Sequence, residues 1–342
     1  MNILRWLLST QLKPSHKQNK NSGFTLIELL VAMLIAFLVI TPLLSFMISV
    51  LNTDGQEQAK ANSEQEIKAA LDYITRDLQQ AIYIYDATGI ACLSGTVDTS
   101  TDNTCPNAST TGNQLPSGTD KVPVLVFWKR EFSQNVVETR NSSDAVQFKD
   151  DTFVYSLVAY YLIQDGSPNW SKAARIARWQ IKDGVPNTAA RVTVGACEGF
   201  PTEKYLPCPD KGFKQFDLSQ KGITLQAKMN SWTRGGIYNQ DPVVLVDFID
   251  QTTIAQGAPA AICSTDFSQI PVAATTVKTG FYACVDSVSA NNRSAAEVYL
   301  RGNAQARLIQ NDETKVRYAQ SKSSYFPSAN IKVQGSSFIF TK

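Results

Sequence analysis

Residues 23–51 read Gly-Phe-Thr-Leu-Ile-Glu-Leu-Leu-Val-Ala-Met-Leu-Ile-Ala-Phe-Leu-Val-Ile-Thr-Pro-Leu-Leu-Ser-Phe-Met-Ile-Ser-Val-Leu. From Leu29 to Leu51 there is no charged residue. A helix needs about 20 apolar residues to cross a bilayer core, so this run is long enough to span. Ahead of it, residues 1–22 carry Arg5, Lys13, Lys17 and Lys20 and no acid. Positive flanks stay in the cytoplasm, which predicts that the C-terminal bulk faces outward. A secretory signal peptide fits less well. Its apolar region is shorter and precedes the cleavage site, whereas here the small residue, Gly23, comes first.

Glu28 is the informative residue. A carboxylate within a membrane helix costs roughly 2.5–3.5 kcal/mol on insertion scales, and such a group usually has a partner. If the chain is cut after Gly23, Phe24 gains an amine. Phe24 and Glu28 share a helix face at the i, i+4 spacing. The carboxylate can then meet its own amine or that of a neighbouring subunit, and the second pairing would set axial register in an assembly. The blander alternative is an uncleaved anchor in which Glu28 is a tolerated interfacial charge.

Gly23-Phe24-Thr25-Leu26-Ile27-Glu28-Leu29-Leu30-Val31-Ala32 resembles the leader junction of type IV pilins and type II secretion pseudopilins. The resemblance implies a basic leader over 1–23, cut after Gly23 by a prepilin peptidase that then methylates Phe24. It also implies that Glu28 guides the subunit into a filament with other pilins or pseudopilins. Further implied partners are an inner-membrane assembly platform and the lipid bilayer. A helix-bending proline is a family feature, and Pro42 stands near its place.

Composition bounds the remainder. The chain has 342 residues, 32 basic and 30 acidic. Without the four basic residues of the leader, 28 basic residues face 30 acidic ones, so nothing marks a nucleic-acid partner. The single histidine, His16, lies in the leader. The mature chain therefore has no histidine base or histidine metal ligand, which disfavours Ser/His/Asp hydrolysis and most zinc chemistry. No cofactor is implied. Six cysteines fall into three sequence-local pairs. An even number in an exported domain favours disulfides, expected as Cys92–Cys105, Cys197–Cys208 and Cys263–Cys284.

Past the apolar run, Ile67, Ala70, Leu71, Ile74, Leu78, Ala81, Ile82 and Tyr85 recur at helical spacing. Glu64, Lys68, Asp72, Arg76 and Gln79 occupy the other side. This predicts an amphipathic helix over 52–86 continuing the membrane segment 24–51, one rod of roughly 90 Å. Residues 87–122, rich in Ser, Thr, Gly, Asn and Asp, read as a disulfide-stapled surface loop. Strands are expected at Val122–Trp128, Thr152–Ile163, Arg175–Ile181, Ile223–Lys228, Val243–Ile249 and Ile331–Phe340. The predicted fold class is α+β: a long N-terminal helix laid on one β-rich head, 87–342, with an antiparallel sheet.

Within the head, Tyr160-Tyr161-Leu162, Arg175–Trp179, Val243–Asp247 and Val298-Tyr299-Leu300-Arg301-Gly302-Asn303 resemble larger minor pilins of the PilW kind and J-type pseudopilins. The last stretch and the cysteines are similar to pseudopilins of hormogonium polysaccharide secretion in filamentous cyanobacteria. Asp241, Asp247 and Asp250 form no Asp-x-Asp-x-Asp-Gly loop, and are expected to be solvated strand-end charges. Trp128, Trp170, Trp179 and Trp232 are candidates for stacking on sugars, although aromatics in a β-rich domain are more often core. The function these readings favour is structural, not enzymatic: a minor pseudopilin of a filament for polysaccharide secretion and gliding. The alternatives are a minor pilin of a type IV pilus or type II protein secretion system, and a membrane-anchored carbohydrate-binding or two-carboxylate glycosidase ectodomain.

Overall fold

A computed structural model describes residues 23–96, 105, 112–143, 145–186, 197–200, 205–220, 224–286, 294–309 and 312–335. The leader before Gly23, with His16, and the end of the last predicted strand after 335 lie outside the described residues. The chain divides into two units, Met1–Asp54 and Gly55–Lys342. The division falls three residues beyond the end of the predicted membrane segment.

Helix α1 spans Leu26–Gln79. Every residue from Gly23 to Asp54 is exposed. Pro42 sits inside the helix, where it lacks the N–H for its turn. The hydroxyl of the preceding Thr41 bonds the Phe37 carbonyl at 2.8 Å. In the second unit the same helix buries Ala59, Ser63, Ile67, Ala70, Leu71, Ile74, Asp77 and Leu78. Three- and four-residue spacing puts these on one stripe. Glu64 and Lys68 pair on the open side at 2.6 Å.

The helix ends at Gln79, earlier than its periodicity predicts. Ala81–Ile84 is strand β1, buried at all four positions. It pairs antiparallel with β2 (Lys121–Arg140), matching Tyr83 to Trp128 and Ile84 to Phe127. The Ala-Ile-Tyr-Ile-Tyr run of 81–85 fits a helical period, but its β-branched and aromatic side chains also fit a pleated surface. The open edge of a sheet decides between them, because it offers backbone partners that another helical turn would forgo.

A five-stranded antiparallel sheet follows the order β1-β2-β3-β4-β5, with β3 at Val146–Ile163, β4 at Ala174–Lys182 and β5 at Val243–Ile249. A second antiparallel sheet is ordered β6 (Ser268–Ile270), β7 (Phe281–Asp286), β8 (Ala295–Arg301) and β9 (Ser328–Gln334). One core joins both sheets to the helix, running from Ile67, Ile74 and Leu78 through Trp128, Tyr160 and Trp179 to Phe281, Val298 and Val333. The expected α+β plan, a long helix and a β-rich head, is therefore present.

Two local expectations are corrected. The strand expected at Ile223–Lys228 is helix α3 (Leu225–Asn230), after a short helix α2 (Ala87–Leu93). Ile223 lies outside the described residues. Thr224 caps α3 by accepting the Ala227 N–H at 3.2 Å, and Leu-Gln-Ala-Lys-Met are good helix formers. The segment 87–122 is more than a surface loop. It contains α2, capped by Asp86 through the Gly89 N–H at 2.7 Å, and Cys92, Leu93, Cys105 and Leu115 are buried. Gly89 is needed there, since a Cβ would lie 2.7 Å from both Asn230 Oδ1 and Tyr85 Cδ1.

Candidate functional site

The N-terminal junction starts with a reciprocal cap. Thr25 precedes the first helical residue, and its hydroxyl oxygen accepts the Glu28 N–H at 3.4 Å. Glu28 Oε2 accepts from the Thr25 N–H at 3.4 Å and from its hydroxyl at 3.3 Å. Thr-x-x-Glu is the capping-box arrangement, in which a carboxylate satisfies a backbone donor that the helix itself leaves open. The sequence carries this signal in Thr25 and Glu28, three residues apart at the start of the helix. In the uncut chain Glu28 thus holds the first turn of its own helix.

Among the described residues, Gly23 and Phe24 make no comparable contact. A Cβ on Gly23 would meet nothing within 4 Å. Phe24 is 81% exposed, and the apolar side chains Leu26 to Leu51 are exposed with it. Their identity answers to something outside the chain. Residues 18–44 match the family described as the prokaryotic N-terminal methylation motif. The chain carries a prepilin-type methylation motif. That supports a type IV pilin-like protein, and with it a structural role, processing by prepilin peptidase and assembly with other pilins. The match spans the junction and part of the apolar run, not the head. No curated protein and no solved structure matches the chain. α1 is long and apolar enough to cross a membrane, and with the motif it fits an inner-membrane, single-pass pilin-like anchor.

In the head, the most concentrated chemistry is where α1 meets the sheets. Asp77 accepts Lys129 Nζ at 2.9 Å, Arg178 Nε at 2.6 Å and the Tyr160 hydroxyl at 2.7 Å. Burial alone would raise its pKa, but the hydrogen bond and charge of Arg178, with Lys129, hold the carboxyl below its ordinary value. The residues around it are all donors, so the cluster has an anchoring geometry and no catalytic pair. One register further along the sheet, Glu131 takes Lys182 Nζ at 3.1 Å and Gln180 Nε2 at 2.7 Å.

The Tyr299-Leu300-Arg301-Gly302-Asn303 stretch forms a second junction. Leu300 is buried. Arg301 Nε donates to Asp250 at 2.8 Å. Gly302 lies so close to α1 that a Cβ would approach Ile67 Cδ1 at 2.6 Å. Asn303 is fully buried. It donates to Gln251 Oε1 at 3.1 Å and to the Val316 carbonyl at 2.9 Å, and it caps helix α4 (Ala304–Leu308). From α4, Arg307 reaches back to Ser63 at 2.9 Å and pairs with Glu66. This stretch is conformational glue between the helix and both sheets.

The three disulfides pair as expected: Cys92–Cys105, Cys197–Cys208 and Cys263–Cys284. Trp128, Trp179 and Trp232 are core residues, whereas Trp170 stands 44% exposed. The aspartates are not solvated strand ends throughout. Asp250 is fully buried against Arg301 and bonded by Thr252. Asp247 accepts Ser171 through both its N–H and hydroxyl. Among the described residues, no group of three His, Cys, Asp or Glu is placed to hold a metal ion.

Proposed function

We propose that this chain is a minor pseudopilin: cut after Gly23, N-methylated on Phe24, and assembled through its membrane helix into a short filament with other pseudopilins on an inner-membrane platform. The head faces the periplasm before assembly, as the basic leader suggests. The observation that carries this reading is the coincidence at the junction. Among the described residues, Gly23 has open space around it and Phe24 and the apolar side chains Leu26–Leu51 are exposed, and the methylation motif falls on the junction and much of that run. On cleavage, Glu28 exchanges its Thr25 partners for the amine of a neighbouring Phe24, which neutralises a carboxylate inside the packed helices. The large, three-disulfide head favours a minor subunit over a bulk one. The filament's task is polysaccharide export that supports gliding, a reading supported by the head motifs around Tyr299–Asn303. The alternative is a minor subunit of a type IV pilus or of type II protein secretion.

Mass analysis of the protein from membranes tests the first step. A methylated Phe24 N-terminus is expected, and an intact leader overturns the proposal. Glu28→Leu should leave processing intact and impair incorporation into filaments. Normal incorporation would remove the role given to the carboxylate. For the cargo, a deletion strain should lose extracellular polysaccharide and gliding. Loss of a protein exoproduct with normal polysaccharide would replace the export assignment.

A further inference from the structure

One cavity of the head lies beside the Asn303 junction and shares Phe248, Gln251 and Val316 with it. It measures about 440 Å³ and is lined by Trp170, Asp247, Phe248, Gln251, Asp312 and Glu313 among others, within the usual range for small-ligand sites. We propose that this cavity is a saccharide-binding site for a neutral sugar chain, with Trp170 as the stacking platform and Gln251 as a buried hydrogen-bond donor.

Three observations carry the assignment. Trp170 alone of the four head tryptophans is exposed, and it stands at a cavity wall. Sugar rings present flat C–H faces that pack on such a surface, with the hydroxyls left at the rim. Gln251 is nine-tenths buried. Its Oε1 is taken by Asn303 at 3.1 Å, and its Nε2 has no partner. Buried donors are rarely left so, and a ligand hydroxyl oxygen would satisfy this one. Phe248 has φ +57°, a conformation a bulky residue adopts at a cost and one that clusters at ligand sites. It is held there by the Asn303 N–H on its carbonyl at 2.7 Å and by Arg307 4.2 Å from the ring centroid.

Charge selects the class. Asp247, Asp312 and Glu313 line the cavity against a single Lys172. Asp247 is committed to Ser171 and the Phe248 N–H. Asp312 is committed to Thr314 and Lys315. These carboxylates disfavour phosphate or uronate ligands, and among the described residues no group of three His, Cys, Asp or Glu is placed to hold a metal ion beside them. A neutral, hydroxyl-rich chain is what the walls accept. The biological meaning of the site rests on the polysaccharide-export reading, but binding is measured separately from it.

The test uses the full chain in lipid nanodiscs free of glycosidic detergent. Neutral gluco-, galacto-, manno- and xylo-oligosaccharides of six units are titrated beside hexagalacturonate, following tryptophan fluorescence and heat. Saturable binding of a neutral oligosaccharide is expected. Trp170→Ala should weaken it about tenfold, the size of one aromatic stacking contact. Gln251→Glu keeps the acceptor for Asn303 and removes the donor, and should also weaken binding, with thermal melting as the folding control. Binding of none of the neutral sugars, a preference for hexagalacturonate, or unchanged affinity in a folded Trp170→Ala protein would each overturn the site. Normal extracellular polysaccharide in a deletion strain would strike the export reading and leave the binding result standing.

Discussion

The two halves of α1 are built from one continuous helix and stabilised by opposite means. From Leu26 to Leu51 every side chain is exposed, and almost every one is apolar. From Ala59 to Leu78 a stripe is buried on the head, and it includes the polar Ser63 and Asp77. In water the first half would be unfavourable by about 25 cal/mol for each Å² of apolar surface, so its side chains favour apolar surroundings. The second half finds its partners in the same chain. Helical hydrogen bonds are common to both halves. What differs is where the side chains find their neighbours, and that difference separates assembly from folding within one element.

Substitutions along the helix can break or sharpen this contrast. The largest effect is expected at Asp77. Asp77→Asn leaves Arg178 and Lys129 without their carboxylate in a buried site, and should destabilise the head by about 3–5 kcal/mol, read from denaturant unfolding. Because the folded pKa of Asp77 is depressed, its contribution is complete above the unfolded carboxylate value near ~4 and fades as pH falls from there through the folded value. The wild-type head should therefore lose stability on acidification below about pH 4, and the Asp77→Asn head should lose less over the same interval. An equal acid response in both proteins would show that other carboxylates dominate.

Ile74→Ala comes next. Ile74 is fully buried, and its truncation should cost about 3 kcal/mol through lost burial and a residual cavity. Ser63→Ala removes the acceptor for Arg307 Nε and should cost about 1 kcal/mol, since Arg307 keeps its Glu66 partner. Leu38→Ala, in the exposed half, should leave head unfolding unchanged to within about 0.5 kcal/mol. A Leu38→Ala effect as large as that of Ile74→Ala would dissolve the contrast between the halves.

The main outline was legible in the residues. The uncharged run, the basic leader and the Gly23–Glu28 junction led to a membrane helix and a methylation motif without reference to coordinates. The 3.6-residue stripe located Ile67, Leu71, Ile74 and Leu78, and the local cysteine pairs closed as their spacing suggested. Periodicity misled at residues 81–85, where Ala, Ile and Tyr suit either a buried helix face or a buried strand. It misled again at 223–228, where Thr224 as a cap was the better signal than Ile-Thr-Leu as a strand. The strands β6, β7 and β8 were not anticipated, because they are short and border turns and loops. Asp250 gave no local sign of burial, since its partner Arg301 lies far along the chain.

The sequence by itself determined the chemistry that acts over a few residues: helix formation, membrane length, the Thr25–Glu28 cap and the methylation-motif pattern. These depend on neighbours within about one helical turn, so they survive reading in one dimension. Only the tertiary structure decided where α1 stops, which aspartates are buried, and that Trp170, Phe248 and Gln251 share a cavity wall. Those outcomes depend on contacts between distant segments. They arise from competition for sheet edges, core volume and hydrogen-bond partners, and that competition is resolved only when the chain has closed on itself.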